Sequence, residues 1–275
     1  YPRAASLRDD LPRHMSAFLT PSGQGAVLLA EDSARTVRLL SLEAQYYRSL
    51  IQEPWGAHHL QGHLGQFWSG AGCRDVSAVI PYSAVLAHAS TLSEQVRQVA
   101  DSPEARILIW TRDTQTGTVS RHEVAVRLPR SFVLADRTAL ADEGLIERLR
   151  AMRERALPSE TGGILIGFYD LPLGLLVLVD ALPAPKDSRE DETEFVRGTD
   201  GMLDAVRSAG ARTAGIVQYV GEWHSHPPGA GSRPSGRDLV QLKQLSEQMR
   251  NDGLPAIQVI VGERDFSVGY MSELR

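Results

Sequence analysis

The chain has one cysteine, Cys73, in 275 residues. A single thiol excludes an internal disulfide and fits a reducing compartment. Long apolar runs are also missing. GLLVLVDAL (174–182) is among the longest, far short of the roughly 20 residues that a membrane-spanning helix needs. There is no extended Lys/Arg run, and the formal net charge is −5. That balance argues against a nucleic-acid or anionic-membrane surface. No GxGxxG follows any expected strand, which excludes a doubly wound dinucleotide fold. No signal peptide is visible, and the chain opens on Tyr1 rather than Met, which leaves room for an upstream segment. What is there is ordinary: 42% hydrophobic and 23% charged residues, enough to bury a real core. The expectation is a weakly acidic, soluble, cytoplasmic protein.

The length implies one large domain or two modest ones. Residues 1–24, rich in Pro, Gly and Arg and without a period, read as a lead-in segment. Residues 25–130 read as a smaller N-terminal α/β domain. It has a strand at 25–32, a helix at 42–52 ended by Pro54-Trp55-Gly56, and a glycine-rich loop over 54–75. An amphipathic helix follows over 83–101, then a hairpin of 105–113 and 118–128 around the turn TQTG. A second unit begins near residue 131 with the strand SFVLAD. The apolar spacing of Leu140, Leu145, Leu149 and Met152 predicts a helix over 138–157. Apolar strands at 160–170 and 174–183, a charged loop at 186–194 and a helix at 200–210 come next. A strand at 215–227, a helix from Pro234 to about Asn251 and two closing strands complete residues 131–275. The pattern is α/β with a mixed sheet flanked by helices.

The chemistry concentrates in GEWHSHPPGAGSRPSGRD (221–238). Along a strand, alternate side chains share a face, so His224 and His226 project together about 7 Å apart. A Pro/Gly-rich turn then returns the chain to a helix whose first turn carries Ser235 and Asp238. Two imidazoles and a carboxylate leave one position for water, the ligand count of catalytic rather than structural zinc. Such a zinc makes its water a nucleophile near neutral pH. The competing explanation is plain: Ser-x-x-Asp after a proline is also a helix N-cap pattern that needs no metal. HxH alone is a weak signal; HxH, turn and SxxD together are a rarer combination.

Hydrolysis also needs a general base outside the coordination shell. Glu222 lies on the same strand face as His224 and His226. Glu160 opens a separate apolar strand, followed by Gly162 and Gly163, whose bare backbone forms an edge that another chain could approach. From these residues alone both glutamates remain candidates.

Glu160 in SETGGILIG, then GEWHSHP, then PSGRD resembles the JAB/MPN (JAMM) zinc metalloproteases, whose pattern is a distant Glu, H-x-H-P and S-x-x-D. The resemblance covers about residues 131–275. It implies a cytidine-deaminase-like mixed sheet and zinc bound by His224, His226 and Asp238. It further implies Glu160 as the base that moves the water's proton to the leaving amine, and Ser235 as an aid to the oxyanion. Glu222 becomes a bystander. EWHSHP and Phe195-Val196-Arg197 look most like the prokaryotic branch, which is often associated with bacterial ubiquitin-like modification. One feature departs from the family: eight residues, Pro227 to Pro234, separate His226 from Ser235, where seven are usual. The expectation is a bulge in GAGSR with Asp238 still at the metal.

The implied function is zinc-dependent cleavage of a peptide or isopeptide bond after the C-terminal tail of a ubiquitin-like protein, in deconjugation or in maturation of a precursor. That tail is extended and can pair with an exposed strand. The rival from another class is a non-catalytic MPN scaffold that binds a ubiquitin-like or ubiquitin-activating partner. Residues 25–130 faintly resemble the C-terminal half of ThiF-type ubiquitin-activating enzymes, without their nucleotide loop or adenylating aspartates. Activating or conjugating homologues are therefore expected as partners, whereas nucleic acid and membrane are not. Cys73 reads as an ordinary thiol, and His58, His59 and His63 as surface loop histidines without a matching carboxylate. His88 reads as structural, and Trp55 and Trp68 as packing residues.

Overall fold

A computed structural model describes residues 2–61, 66–68, 76–78 and 80–272. The readings made of His63 and Cys73, and of the side chain of Trp68, fall outside what is described. The chain divides into two compact units, residues 1–129 with 210–215, and residues 130–209 with 216–275.

The first unit runs α1 (Pro2–Ala5), β1 (Met15–Leu19), β2 (Gly25–Ala30), α2 (Leu39–Gln52), β3 (Gln66–Trp68), β4 (Val76–Ala78), α3 (Tyr82–Ala100), β5 (Arg106–Arg112) and β6 (Val119–Val124). Four strands form an antiparallel sheet in the order β1-β2-β5-β6, and β3 pairs with β4. Every residue of β2 is buried, so GAVLLA is a continuous apolar run rather than an alternating one. Ala26, Leu28 and Ala30 pack with Leu108, Trp110 and, from α3, Leu92 and Val99. The lead-in segment is more structured than its sequence implied. Its β1 is an edge strand of mostly half-buried residues, so no clean alternation marks it. Before it, the Arg35 guanidinium donates to the carbonyls of Ala5, Arg8 and Leu11 and to Glu31 Oε2, fixing a stretch that has no period of its own. Arg212 belongs to this unit too, donating to the carbonyls of Leu50, Ile51 and Glu53.

The second unit runs β7 (Pro129–Val133), β8 (Thr138–Asp142), α4 (Glu143–Ala156), β9 (Gly162–Asp170), β10 (Leu175–Leu182), β11 (Arg189–Glu190), β12 (Phe195–Val196), α5 (Met202–Arg212), β13 (Gln218–Ser225), α6 (Gly236–Met249), β14 (Ala256–Val261) and β15 (Phe266–Met271). Its seven-stranded sheet has the order β15-β14-β13-β9-β10-β8-β7 and is mixed: β13 with β14 and β10 with β8 are parallel, while β9 is antiparallel to both its neighbours. The expected α/β class with a mixed sheet flanked by helices is what forms. The helix expected over 138–157 is in part a correction, because Thr138–Asp142 is a strand. Thr138, Ala139 and Leu140 pair with Leu175, Leu176 and Val177, and Asp142 caps α4 by accepting the N–H groups of Gly144 and Leu145. Leu145, Leu149 and Met152 keep helical spacing, whereas Leu140, five residues before Leu145, lies off that face and pairs in the strand instead. The charged loop 186–194 likewise contains a strand, β11, paired with β12.

The two faces of the sheet are covered differently. Leu145 and Leu149 of α4 pack on Leu165, Leu178, Trp223, Ile257 and Val259. Leu242, Leu245 and Met249 of α6 pack with Ala256, which the pleat turns opposite to Ile257. Among the described residues no helix is long and apolar enough to cross a membrane.

Candidate metal centre

Strand alternation in β13 divides its side chains. Trp223 turns into the α4 face, buried, with its Nε1 donating to Leu182 O at 2.9 Å. Glu222 and His224 turn to the α6 face. His226 follows just past the strand, its N–H donating to Val261 O at 3.0 Å as an extension of the β14 pairing. Both imidazoles thus reach the side on which α6 begins.

Helix α6 opens on a capping box. Ser235 Oγ accepts from Asp238 N at 3.2 Å, and Asp238 Oδ2 accepts from Ser235 N at 2.6 Å. The capping explanation for Ser-x-x-Asp is therefore physically present, but it leaves Asp238 capacity to spare. Oδ1 lies 3.2 Å from His224 Nε2 and Oδ2 lies 3.4 Å from His226 Nε2. The two rings are 5.3 Å apart. One ligand atom from each of the three residues falls within 4.8 Å of the other two, and all three residues are buried.

The donor set fits a cation. His226 Nδ1 sits 2.6 Å from Gly231 O. A carbonyl only accepts, so Nδ1 carries the proton and the Nε2 lone pair of the neutral ring is left facing a carboxylate. Two acceptors meeting in a buried site require a proton or a cation between them. His224 Nε2 is buried without a hydrogen-bond partner, 3.2 Å from Asp238 Oδ1. The electrostatics agree. The Asp238 carboxylate raises His226 above the ordinary histidine value against the opposing effect of burial, with help from Gly231 O. Burial works against the charge of Asp238, but the two imidazoles and the Ser235 N–H outweigh it and hold the carboxyl well below the carboxylate range.

Glu160 completes the cavity. Its N–H donates to Asp191 O at 2.8 Å, and the next residue is locked to β13 by Ser225 N to Thr161 O at 2.7 Å and Thr161 N to Ser225 Oγ at 3.1 Å. Burial raises the Glu160 carboxyl above its usual value, and the nearby histidines pull it partly back. Glu160, His224, His226, Ser235 and Asp238 line one cavity of about 280 Å³. Glu194 and Arg237 also line it, joined by an exposed ion pair at 3.0 Å. Glu222, the other candidate base, is engaged elsewhere: its Oε1 accepts from Arg197 Nε at 3.1 Å and Nη2 at 2.8 Å.

One sequence expectation changes here. The Gly162–Gly163 edge is closed by the chain itself, since β9 is an interior strand. A Cβ on Gly162 would lie 2.4 Å from the Phe195 ring and 2.5 Å from Trp223 O. Glycine serves the close packing of β13 and Phe195 rather than a visiting strand. The eight-residue loop after His226 is tied to the β14–β15 turn. Gly229 N donates to Glu263 Oε2, Ser232 N to Asp265 Oδ1 and Ser267 Oγ to Ser232 O. Nothing in the motif pointed to Glu263 or Asp265, which lie some forty residues from His224 and act on backbone groups.

Among the described residues, His58, His59 and His88 are not brought together on a carboxylate. His58 Nδ1 meets Gln61 Oε1 at the surface, and His88 Nε2 meets Gly23 O at 3.2 Å. His59, expected at the surface, is instead buried, because its ring packs edge-on against Tyr46 and Trp55. Trp55 itself stacks on His122 at 4.6 Å. Among the described residues, His224, His226 and Asp238 are the group that can hold a metal ion.

Residues 142–271 match the family described as prokaryotic homologs of the JAB domain. Two relatives carry the name CD-NTase/cGAS isopeptidase. The one from Enterobacter hormaechei subsp. hoffmannii is 33% identical over 125 residues, covering 46% of this chain and 67% of the relative. The one from Pseudomonas aeruginosa is 31% identical over 105 residues, covering 38% and 63%. The solution structure of a Desulfitobacterium hafniense protein covers 46% of this chain and 79% of its own at 20% identity, with a TM-score of 0.32, too slight a likeness to bear on function. The chain belongs to the prokaryotic JAB family.

Proposed function

We propose that this protein is a zinc-dependent isopeptidase that releases a ubiquitin-like protein, or a protein conjugated in the same manner, from the amine to which its C-terminal tail is joined. The observation that carries this is the convergence of three ligand atoms of buried residues within 4.8 Å, beside a carboxyl that burial raises above its usual value. The names of the relatives support an isopeptide bond as the target, and they add a CD-NTase conjugate to the substrates worth testing.

His224, His226 and Asp238 would hold the metal, leaving a position open to water and substrate. Zinc bound there supplies Lewis acidity, which makes water a nucleophile near neutral pH and polarises a carbonyl. Glu160 takes a proton from the attacking water as the oxygen joins the carbonyl carbon. It then returns that proton to the amine nitrogen as the C–N bond breaks, giving a free amine and a carboxylic acid, which releases the water's second proton to solvent. The raised Glu160 carboxyl suits both roles. Ser235 Oγ already accepts from Asp238 N, which leaves its O–H free to donate to the developing oxyanion.

Zinc content and cleavage are measured for the wild type and Glu160→Ala, on isopeptide-linked and linear ubiquitin-like fusions and on a CD-NTase conjugate. The expected result is stoichiometric zinc in both proteins and cleavage by the wild type alone. Cleavage retained in Glu160→Ala would remove Glu160 as the base. Stoichiometric zinc without cleavage of any of these substrates would replace the enzyme by a non-catalytic scaffold. Preference between the two fusions separates deconjugation from precursor maturation.

A further inference from the structure

Arg153, in the last turn of α4, is a buried cation, 5% exposed. Its Nε donates to His226 O at 2.9 Å and its Nη2 to Pro227 O at 3.1 Å. One edge of a planar guanidinium therefore grips two successive carbonyls. Both acceptors are neutral, and among the described residues no carboxylate pairs with Arg153. Burying a charge without a counter-ion is costly and persists where its hydrogen bonds fix something.

What they fix is the backbone that aims His226. The N–H of His226 is held by Val261 O at 3.0 Å, its carbonyl by Arg153, and its ring by Gly231 O at 2.6 Å. Pro227 O, the second carbonyl in the grip, also accepts from Ala230 N at 3.2 Å. Arg153 thus secures both the Cα of His226 and the start of the turn that delivers the Gly231 carbonyl to its ring. Loss of the grip releases both supports of Nε2 together. The fork matters as well as the charge, since a lysine ammonium is a point donor and cannot match two carbonyls in a plane.

We infer that Arg153 is a positioning residue for the metal centre, acting through the backbone of His226 and Pro227. The inference rests on the metal-centre reading above and assigns Arg153 no contact with substrate. A purely structural role, tethering α4 to the sheet, would lower stability yet leave the metal affinity of the folded protein unchanged. An orienting role changes the affinity itself.

The test uses the full chain stripped of metal, with zinc affinity read by competition against a chromophoric chelator and ligand geometry read from the visible spectrum of the Co(II)-loaded protein. Arg153→Met should weaken zinc binding by about 10- to 100-fold, the range for outer-shell partners, and alter the Co(II) spectrum. Arg153→Lys should fall between it and the wild type, and Arg155→Met, at an exposed position of the same turn, should match the wild type. Wild-type affinity and spectrum in Arg153→Met, even with a lower melting temperature, would overturn the inference. Should Arg153→Met not fold, Arg153→Lys decides: weakened zinc binding supports the role, and unchanged binding removes it. Failure of the wild type to bind zinc would instead refute the metal-centre reading, so the two failures are distinct.

Discussion

Each unit buries histidines, and they end up in opposite states. In the first unit His59 lies among Tyr46, Trp55 and other rings, and burial, with His122 and His88 nearby, pushes it down to about 4. In the second unit His226 is also buried, yet Asp238 raises it. Burial alone therefore makes a histidine a neutral packing residue. A carboxylate fixed opposite its lone pair leaves it able to hold a cation. Helix α6 creates the difference, because its capping box holds Asp238 rigidly where both imidazoles arrive.

The largest effect that sharpens this comparison is at Glu160. Glu160→Gln keeps size and zinc content but lowers the cleavage rate by about 10²- to 10⁴-fold, the usual contribution of a positioned acid–base group. The pH profile gives a second reading. The base works when ionised and burial raises its carboxyl. Activity therefore disappears as pH falls through a value above the ordinary glutamate range, measurable as the acid limb of kcat/KM.

The next effect breaks the comparison from the other side. The folded-state value of His59, about 4, lies below the 6.5 of an unperturbed histidine. Between those values the unfolded chain binds the proton and the folded chain does not. Stability is therefore full above pH 6.5 and is lost as pH falls toward 4, by about 3 kcal/mol for a shift of this size. Urea midpoints from pH 7.5 to 4.5 should show that loss, and His59→Leu should reduce its slope while leaving zinc content unchanged. A change in zinc content would mean that the two histidine environments are not independent.

The smallest effect separates the two tasks of Ser235. As an N-cap, Ser235→Ala should cost about 1 kcal/mol and Ser235→Gly only a few tenths. As an oxyanion donor, either change should lower kcat equally. A kcat that follows stability rather than the loss of the hydroxyl would leave Ser235 a cap alone.

What was legible in the sequence was local. The alternation of His224 and His226, the proline-started helix and the Ser-x-x-Asp register each lie within a few residues, so spacing alone foretold that they could meet. The mixed sheet was likewise readable from apolar runs with helices between them. The missing parts depend on distant backbone. Thr138–Asp142 reads as helix because it runs directly into the helical spacing of Leu145, Leu149 and Met152, and only its pairing with Leu175–Val177 makes it a strand. Arg153 acts on carbonyls, which every residue has, so no pattern announces it. Glu222 looked as well placed as Glu160 until Arg197, twenty-five residues before it, was seen to occupy its carboxylate.

The central claim is that His224, His226 and Asp238 form one metal site whose carboxylate is indispensable. Its most direct test is an equilibrium zinc titration of the metal-free full chain, wild type against Asp238→Ala. One zinc per chain is expected for the wild type. Asp238→Ala should weaken that binding by more than about 100-fold, beyond the range of outer-shell changes. One zinc per chain with unchanged affinity in Asp238→Ala would contradict the account.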